Sequence, residues 1–248
     1  MTEFDEQQQD EPSVNLQEIF RSAIEHYKAQ AKFFISVSLI YALFSETGGL
    51  LISKFDLPSD EQLIFRSFVN IIFACWASIV IIHGASCLAR KRNFSLEQAL
   101  GTARSRYGLY LSVYLAMLCV VIFGFLLFVV PGLYFMTIFL FADIFVVVDN
   151  ASFTQAFRRS VRMVKPYFWK VFTYLFIIVG VSLTPEVIYQ LGMKAAPQSA
   201  MALQKVAAVL IMPFLMIAQV ELFHNIRRRF KFDLSQLDES LEPTEHDA

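Results

Sequence analysis

Charge is scarce in this chain, and the usual motifs of enzymatic chemistry are scarcer still. Asp, Glu, Lys and Arg make up 17% of the 248 residues against 56% hydrophobic residues, a balance that excludes an ordinary soluble domain. Cys75, Cys87 and Cys119 are odd in number, fall inside apolar runs and have no ligand spacing, so neither a disulfide framework nor a thiolate metal site is expected. There is no Gly-x-Ser-x-Gly elbow, no His-Glu-x-x-His zinc helix and no glycine loop of the kind that cradles phosphate. The first residues carry Glu3, Asp5, Glu6 and Asp10 where a secretory signal would begin with cations, so the first apolar run is expected to serve as its own insertion signal.

What the chain has is long apolar runs, rich in phenylalanine, which supplies 26 of its residues. Six runs approach or exceed the roughly 20 residues that a helix needs to cross a bilayer. They are predicted at 33–53, 63–89, 109–130, 132–148, 167–189 and 203–224, none clearly interrupted at mid-membrane. The third and fourth are separated by Pro131-Gly132 alone, which predicts a tight helical hairpin, because proline cannot continue the hydrogen-bond ladder and glycine tolerates a turn.

Ahead of the first, third and fifth runs stands the same kind of segment, at 15–30, 95–108 and 152–165. Each begins on a small polar residue, Asn15, Ser95 or Ser152, with Glu18, Gln98 or Gln155 three residues on, the pattern of a capping box. Apolar residues then recur at helical spacing: Leu16, Ile19, Phe20, Ala23 and Tyr27 in the first copy, and Leu96, Ala99, Leu100, Ala103 and Tyr107 in the second. The expected architecture is therefore an all-α polytopic membrane protein of three repeats, each an amphipathic elbow helix followed by two spans. Residues 13–231 form the membrane domain, and acidic tails at 1–12 and 232–248 lack the apolar content to fold.

Lys and Arg divide unevenly over this topology. Lys54, Arg66, Lys194 and Lys205 are the only four on one side, leaving 17 of the 21 on the other, among them Arg90-Lys91-Arg92, Arg104, Arg106 and Arg227-Arg228-Arg229. The positive-inside rule then places both termini and all three amphipathic segments in the cytoplasm. The net charge of −1 conceals this asymmetry, since 11 of the 22 acids lie in the two tails.

The third amphipathic copy is the most basic. Arg158, Arg159, Arg162 and Lys165 oppose Phe153, Ala156, Phe157, Val161 and Val164, which suits either contact with anionic lipid or a plain linker helix that obeys the charge rule. Ionisable side chains inside the spans are costly to bury and mark where function would sit. His83, Asp143, Glu221 and His224 all lie within about two helical turns of the predicted cytoplasmic ends, so they could share one depth and line a polar pocket, or else pair and snorkel separately. Glu221 and His224 also have the three-residue spacing of metal-binding bundles, but no second Glu-x-x-His accompanies them. No cofactor, catalytic or metal residue is assigned.

The stretch from Val129 to Val171 joins Val-Val-Pro-Gly-Leu-Tyr, an apolar span ending in Val146-Val147-Val148-Asp149, and Phe153-Thr154-Gln155-Ala156-Phe157-Arg158-Arg159-Ser160. This resembles the superfamily that includes the uncharacterised YciC-type bacterial inner-membrane proteins and the membrane portion of some glycerophosphoryl diester phosphodiesterases. The resemblance implies a location in the bacterial inner membrane. In those phosphodiesterases catalysis belongs to a separate soluble barrel, for which this chain has neither the length nor the His-Arg-Gly opening, so no catalytic residue carries over. The expected function is that of a non-enzymatic membrane protein engaging lipids or partner membrane proteins. A small transporter or lipid translocator is the alternative, and nucleic acid is not an expected partner.

Overall fold

A long apolar helix followed by a polar turn is the unit from which this chain is built. The computed structural model describes residues 15–52, 54–55, 58–192 and 197–241, with residues 197 and 231–241 as backbone alone. Among the described residues the helices are α1 (Leu16–Ala29), α2 (Ala31–Ile52), α3 (Ser59–Ala89), α4 (Leu96–Leu127), α5 (Val129–Ile138), α6 (Ala142–Val148), α7 (Phe153–Val164), α8 (Phe168–Ser182), α9 (Thr184–Gly192) and α10 (Pro197–Leu241). Six helical stretches are long and apolar enough to cross a membrane: α2, α3, α4, α5 with α6, α7 through α9, and α10. The protein is an all-α, multi-pass membrane protein.

The repeated caps form, each differently. Ser95 shows the full box, accepting from the Gln98 backbone at 3.2 Å while its own N–H donates to Gln98 Oε1 at 3.3 Å. The Ser152 N–H donates to Gln155 Oε1 at 3.3 Å. Asn15 instead accepts from the Gln17 N–H at 3.0 Å. An elbow separates the amphipathic segment from its span in the first copy, at Gln30, and in the third, at the 3₁₀ turn Lys165–Tyr167. The second copy has no elbow, because α4 runs unbroken for 32 residues. At 1.5 Å per residue that is about 48 Å, longer than the hydrocarbon layer, so its amphipathic first turns extend beyond the apolar slab.

The α4/α5 hairpin is as tight as expected, but its joint is Phe128, which alone adopts an extended conformation, and not Pro131-Gly132. Proline at the third helical residue is tolerated because the N–H groups of a first turn have no intrahelical acceptor. Gly132 serves instead as the contact surface: a Cβ there would lie 2.5 Å from the Phe125 ring, and one on Gly124 would lie 2.9 Å from the Gly132 backbone.

The fourth span is interrupted, against expectation. Its ladder breaks at Phe139–Phe141 between α5 and α6, and the freed backbone groups find side chains on neighbouring helices. The Ser160 hydroxyl of α7 donates to Ile138 O at 2.7 Å and accepts from the Phe141 N–H at 3.3 Å, while Gln219 of α10 donates to Leu140 O at 2.7 Å. This is the condition under which a membrane helix can break, since an unsatisfied backbone group in hydrocarbon is costly. A seryl and a glutaminyl side chain from elsewhere in the chain leave no signal in the span itself.

Packing is uneven along the bundle. The buried residues concentrate in the half that carries the arginine clusters, from Ile79–Ile82 of α3, Ala99–Val113 of α4, Phe141–Val147 of α6 and Ile217–Ile226 of α10. There α10 touches α1, α2, α3 and α7, and α6 sits among α3, α4 and α7. Phe223 packs edge-on against Phe141 and Phe145 at 5.7 and 5.0 Å. The opposite half exposes Leu39, Leu43, Leu63, Phe68, Leu126, Val130 and Leu191. A contiguous apolar belt of that size is stable against lipid, not water. At the chain ends, α10 continues through 232–241, residues placed in a tail by the sequence; 1–12 and 242–248 lie outside the described residues, as does Lys194.

Candidate functional site

The four intramembrane polar residues singled out from the sequence each bond a side chain of a different partner residue. Asp143, near the start of α6, is buried against α4, where it accepts from the Tyr110 hydroxyl at 3.2 Å and from the Ile144 N–H at 2.8 Å. It sits two residues beyond the break in the fourth span. Glu221 turns the other way, to His26 of α1, with 2.7 Å between Oε1 and Nδ1. His224, one turn further along α10, reaches Ser86 of α3 at 3.1 Å. The Glu-x-x-His pair therefore addresses two different helices and does not converge on one point. No group of three or more His, Cys, Asp and Glu side chains placed to hold a metal occurs among the described residues.

His26 is a functional neighbour that the sequence reading missed. It lies seven residues after Ile19 and three after Ala23, on the buried stripe of α1, and that register was its available signal. Tyr27 beside it faces Phe34 and Phe214 with its hydroxyl buried and without a hydrogen-bond partner among the described residues, and burial pushes its phenol above the usual range.

His83 does face a cavity, at the basic end where α3, α4 and α6 come together. The space is about 320 Å³, and its polar lining is His83, Ser86, Thr102, Ser105, Asn150, Arg90, Arg92 and Arg106. His83 Nδ1 lies 3.3 Å from the Thr102 hydroxyl. Backbone geometry brings these arginines together. α3 ends in a Schellman closure, with the Arg92 N–H donating to Cys87 O and the Lys91 N–H to Leu88 O, both at 2.8 Å. Lys91 accordingly has φ of 54°, the left-handed conformation that glycine usually supplies. Asn150, on another wall of the cavity, has φ of 52°, and these two are the only non-glycine residues with positive φ among the described residues. Charge counting placed these arginines on one side of the membrane and allowed those of the amphipathic helices to join a polar pocket, but which of them converge across two helices and a turn is invisible in a linear tally.

Beside the cavity, Asp149 gathers cations. Arg227 reaches it at 2.7 Å, with Arg90 and Arg159 at 3.9 Å. Of the four basic residues expected to contact lipid on the third amphipathic copy, Arg159 thus reaches toward Asp149 while remaining exposed. Arg158, Arg162 and Lys165 remain, and with Phe153, Phe157 and Val161 they line an open groove of about 700 Å³ along α7.

A family model described as a domain of unknown function (DUF7847) matches residues 62–223, about two thirds of the chain. The protein belongs to that family. The DUF7847 segment includes the arginine-lined cavity, the interrupted fourth span and the α7 groove, while α1 with His26 lies outside it. Neither the curated proteins nor the solved structures contain a match to this chain.

Proposed function

We propose that this protein is a non-enzymatic integral protein of the bacterial inner membrane, with both termini cytoplasmic, whose basic end engages anionic lipid or acidic partner membrane proteins. The observation that carries this reading is the α7 groove. Arg158, Arg162 and Lys165 surround the apolar surface of Phe153 and Phe157, and Trp169, 75% exposed, follows one helical element later. Cations beside aromatic surface at the end of a membrane bundle suit the head-group region, where each contributes about 1 kcal/mol of attraction to an anionic leaflet. The resemblance to YciC-type proteins supports the location.

The test is lipid retention. Full-length protein purified in mild detergent from membranes containing phosphatidylglycerol is examined by native mass spectrometry, beside a variant with Arg158, Arg162 and Lys165 all replaced by Ala. The parent is expected to carry bound phosphatidylglycerol and the variant to lose most of it. Equal retention sinks the lipid reading. A fluorescent protein fused to the carboxy terminus, bright only in the cytoplasm, tests the orientation.

One observation favours the alternative of a small transporter or lipid translocator: the break at Phe139–Phe141, since discontinuous helices build many transport sites. The acid beside that break, Asp143, is closed off by Tyr110 and its own helix. Proteoliposomes that scramble fluorescent lipid no faster than protein-free vesicles would end the translocator version.

A further inference from the structure

The cavity between α3, α4 and α6 has a chemical bias that neither topology nor packing requires. Three arginines line it, and no aspartate or glutamate does. Arg92 and Arg106 have no side-chain hydrogen bond or ion pair among the described residues, and Arg90 has only the 3.9 Å contact to Asp149. Asp149 is held most closely by Arg227 at 2.7 Å, so it offsets Arg90 only in part and leaves Arg92 and Arg106 uncompensated. Like charges gathered around one space repel one another, and the arrangement is relieved by an anion between them.

We propose that this cavity binds a phosphate group. Guanidinium groups present paired donors that match phosphate oxygens, and a doubly charged phosphate offsets the mutual repulsion of the three arginines. The cavity's uncharged polar lining is His83, Ser86, Thr102, Ser105 and Asn150, with Val147 and Val148 beside them. At about 320 Å³ the space is at the small end of ligand sites, about 300–1,000 Å³, large enough for a head group or a small phosphorylated compound and too polar for acyl chains. The left-handed Lys91 supports the same reading, because the closure it permits sets both Arg90 and Arg92 on the cavity wall. The phosphate can come from a lipid head group or from a soluble compound, and both present the same oxygens to these side chains. The cavity shares no lining residue with the α7 groove, so either site can fail without the other.

The experiment uses full-length protein in detergent and phosphate-free buffer, with thermal unfolding followed while inorganic phosphate or water-soluble dihexanoyl phosphatidic acid is titrated, against potassium chloride at matched ionic strength. Saturable stabilisation by at least one of the two phosphates, beyond the chloride control, is expected. Arg92→Gln and Arg106→Gln should each weaken it at least tenfold, while Arg104→Gln, which removes a charge from the same helix outside the cavity, should not. Should either glutamine variant fail to fold, exposed Ser105→Asp places a carboxylate in the lining and should abolish binding. Binding of inorganic phosphate identifies a soluble source, and binding of the lipid alone identifies a head group. The proposal is overturned if neither ligand saturates, if Ser105→Asp binds as the parent does, or if Arg104→Gln weakens binding as much as Arg106→Gln.

Discussion

His26 and Glu221 are separated by 195 residues and joined across 2.7 Å, imidazole to carboxylate, where α1 lies along α10. Glu221 is 8% exposed, so its charge is compensated chiefly by this one neighbour. The contact fastens the amphipathic helix of the first repeat to the last span.

Removing the imidazole therefore leaves a carboxylate buried and unpaired. His26→Ala should lower stability by about 2 kcal/mol, the usual scale for a hydrogen bond to a charged group, and Glu221→Gln by less, because the amide still bonds His26. Denaturant unfolding in detergent micelles, followed by tryptophan fluorescence, measures both. No loss from either replacement would show that the pairing contributes nothing.

The residue beside it should behave oppositely. The Tyr27 hydroxyl is buried without a partner among the described residues, and a polar group left unsatisfied on folding costs roughly 1–3 kcal/mol. Tyr27→Phe is expected to keep or raise stability in the same unfolding assay.

Two glycines on one helix provide a matched comparison. A Cβ on Gly124 would press into the Gly132 backbone at 2.9 Å, whereas one on Gly108 meets nothing within 4 Å. Gly124→Ala should force α4 and α5 apart at a cost of about 1–3 kcal/mol. Gly108→Ala should be neutral or stabilise by up to about 1 kcal/mol, from the helix propensity of alanine. Thermal midpoints of the two variants decide the matter, and a destabilised Gly108→Ala would contradict the open surroundings of that position.

The interruption of the fourth span rests on Ser160, which is fully buried and bonds both Ile138 O and the Phe141 N–H. Ser160→Ala removes both partners at once and should cost about 1–3 kcal/mol. Amide hydrogen exchange at Phe141 should accelerate in the variant while exchange in α4 stays slow. Unchanged exchange would mean that the break is held by packing alone.

Six spans, a tight hairpin near Pro131-Gly132, three capped amphipathic segments and a crowded basic end were legible in the linear chain. Each follows from local composition or a short period: apolar length for a span, a 3.6-residue stripe for an amphipathic helix, lysine and arginine counts for the basic end. What the chain alone could not show is which polar groups meet. Nothing near Phe139 announces that its helix breaks, because the compensating Gln219 amide arrives from 79 residues away. Asp143, Glu221, His224 and His83 share a depth in the sequence, yet helix rotation sends them to Tyr110, His26, Ser86 and Thr102. The same rotation, with a left-handed turn at Lys91, brings Arg90, Arg92 and Arg106 onto one cavity wall. Depth is set by position along a helix and can be counted; the facing partner is set by rotation and packing between helices, which only the folded chain decides.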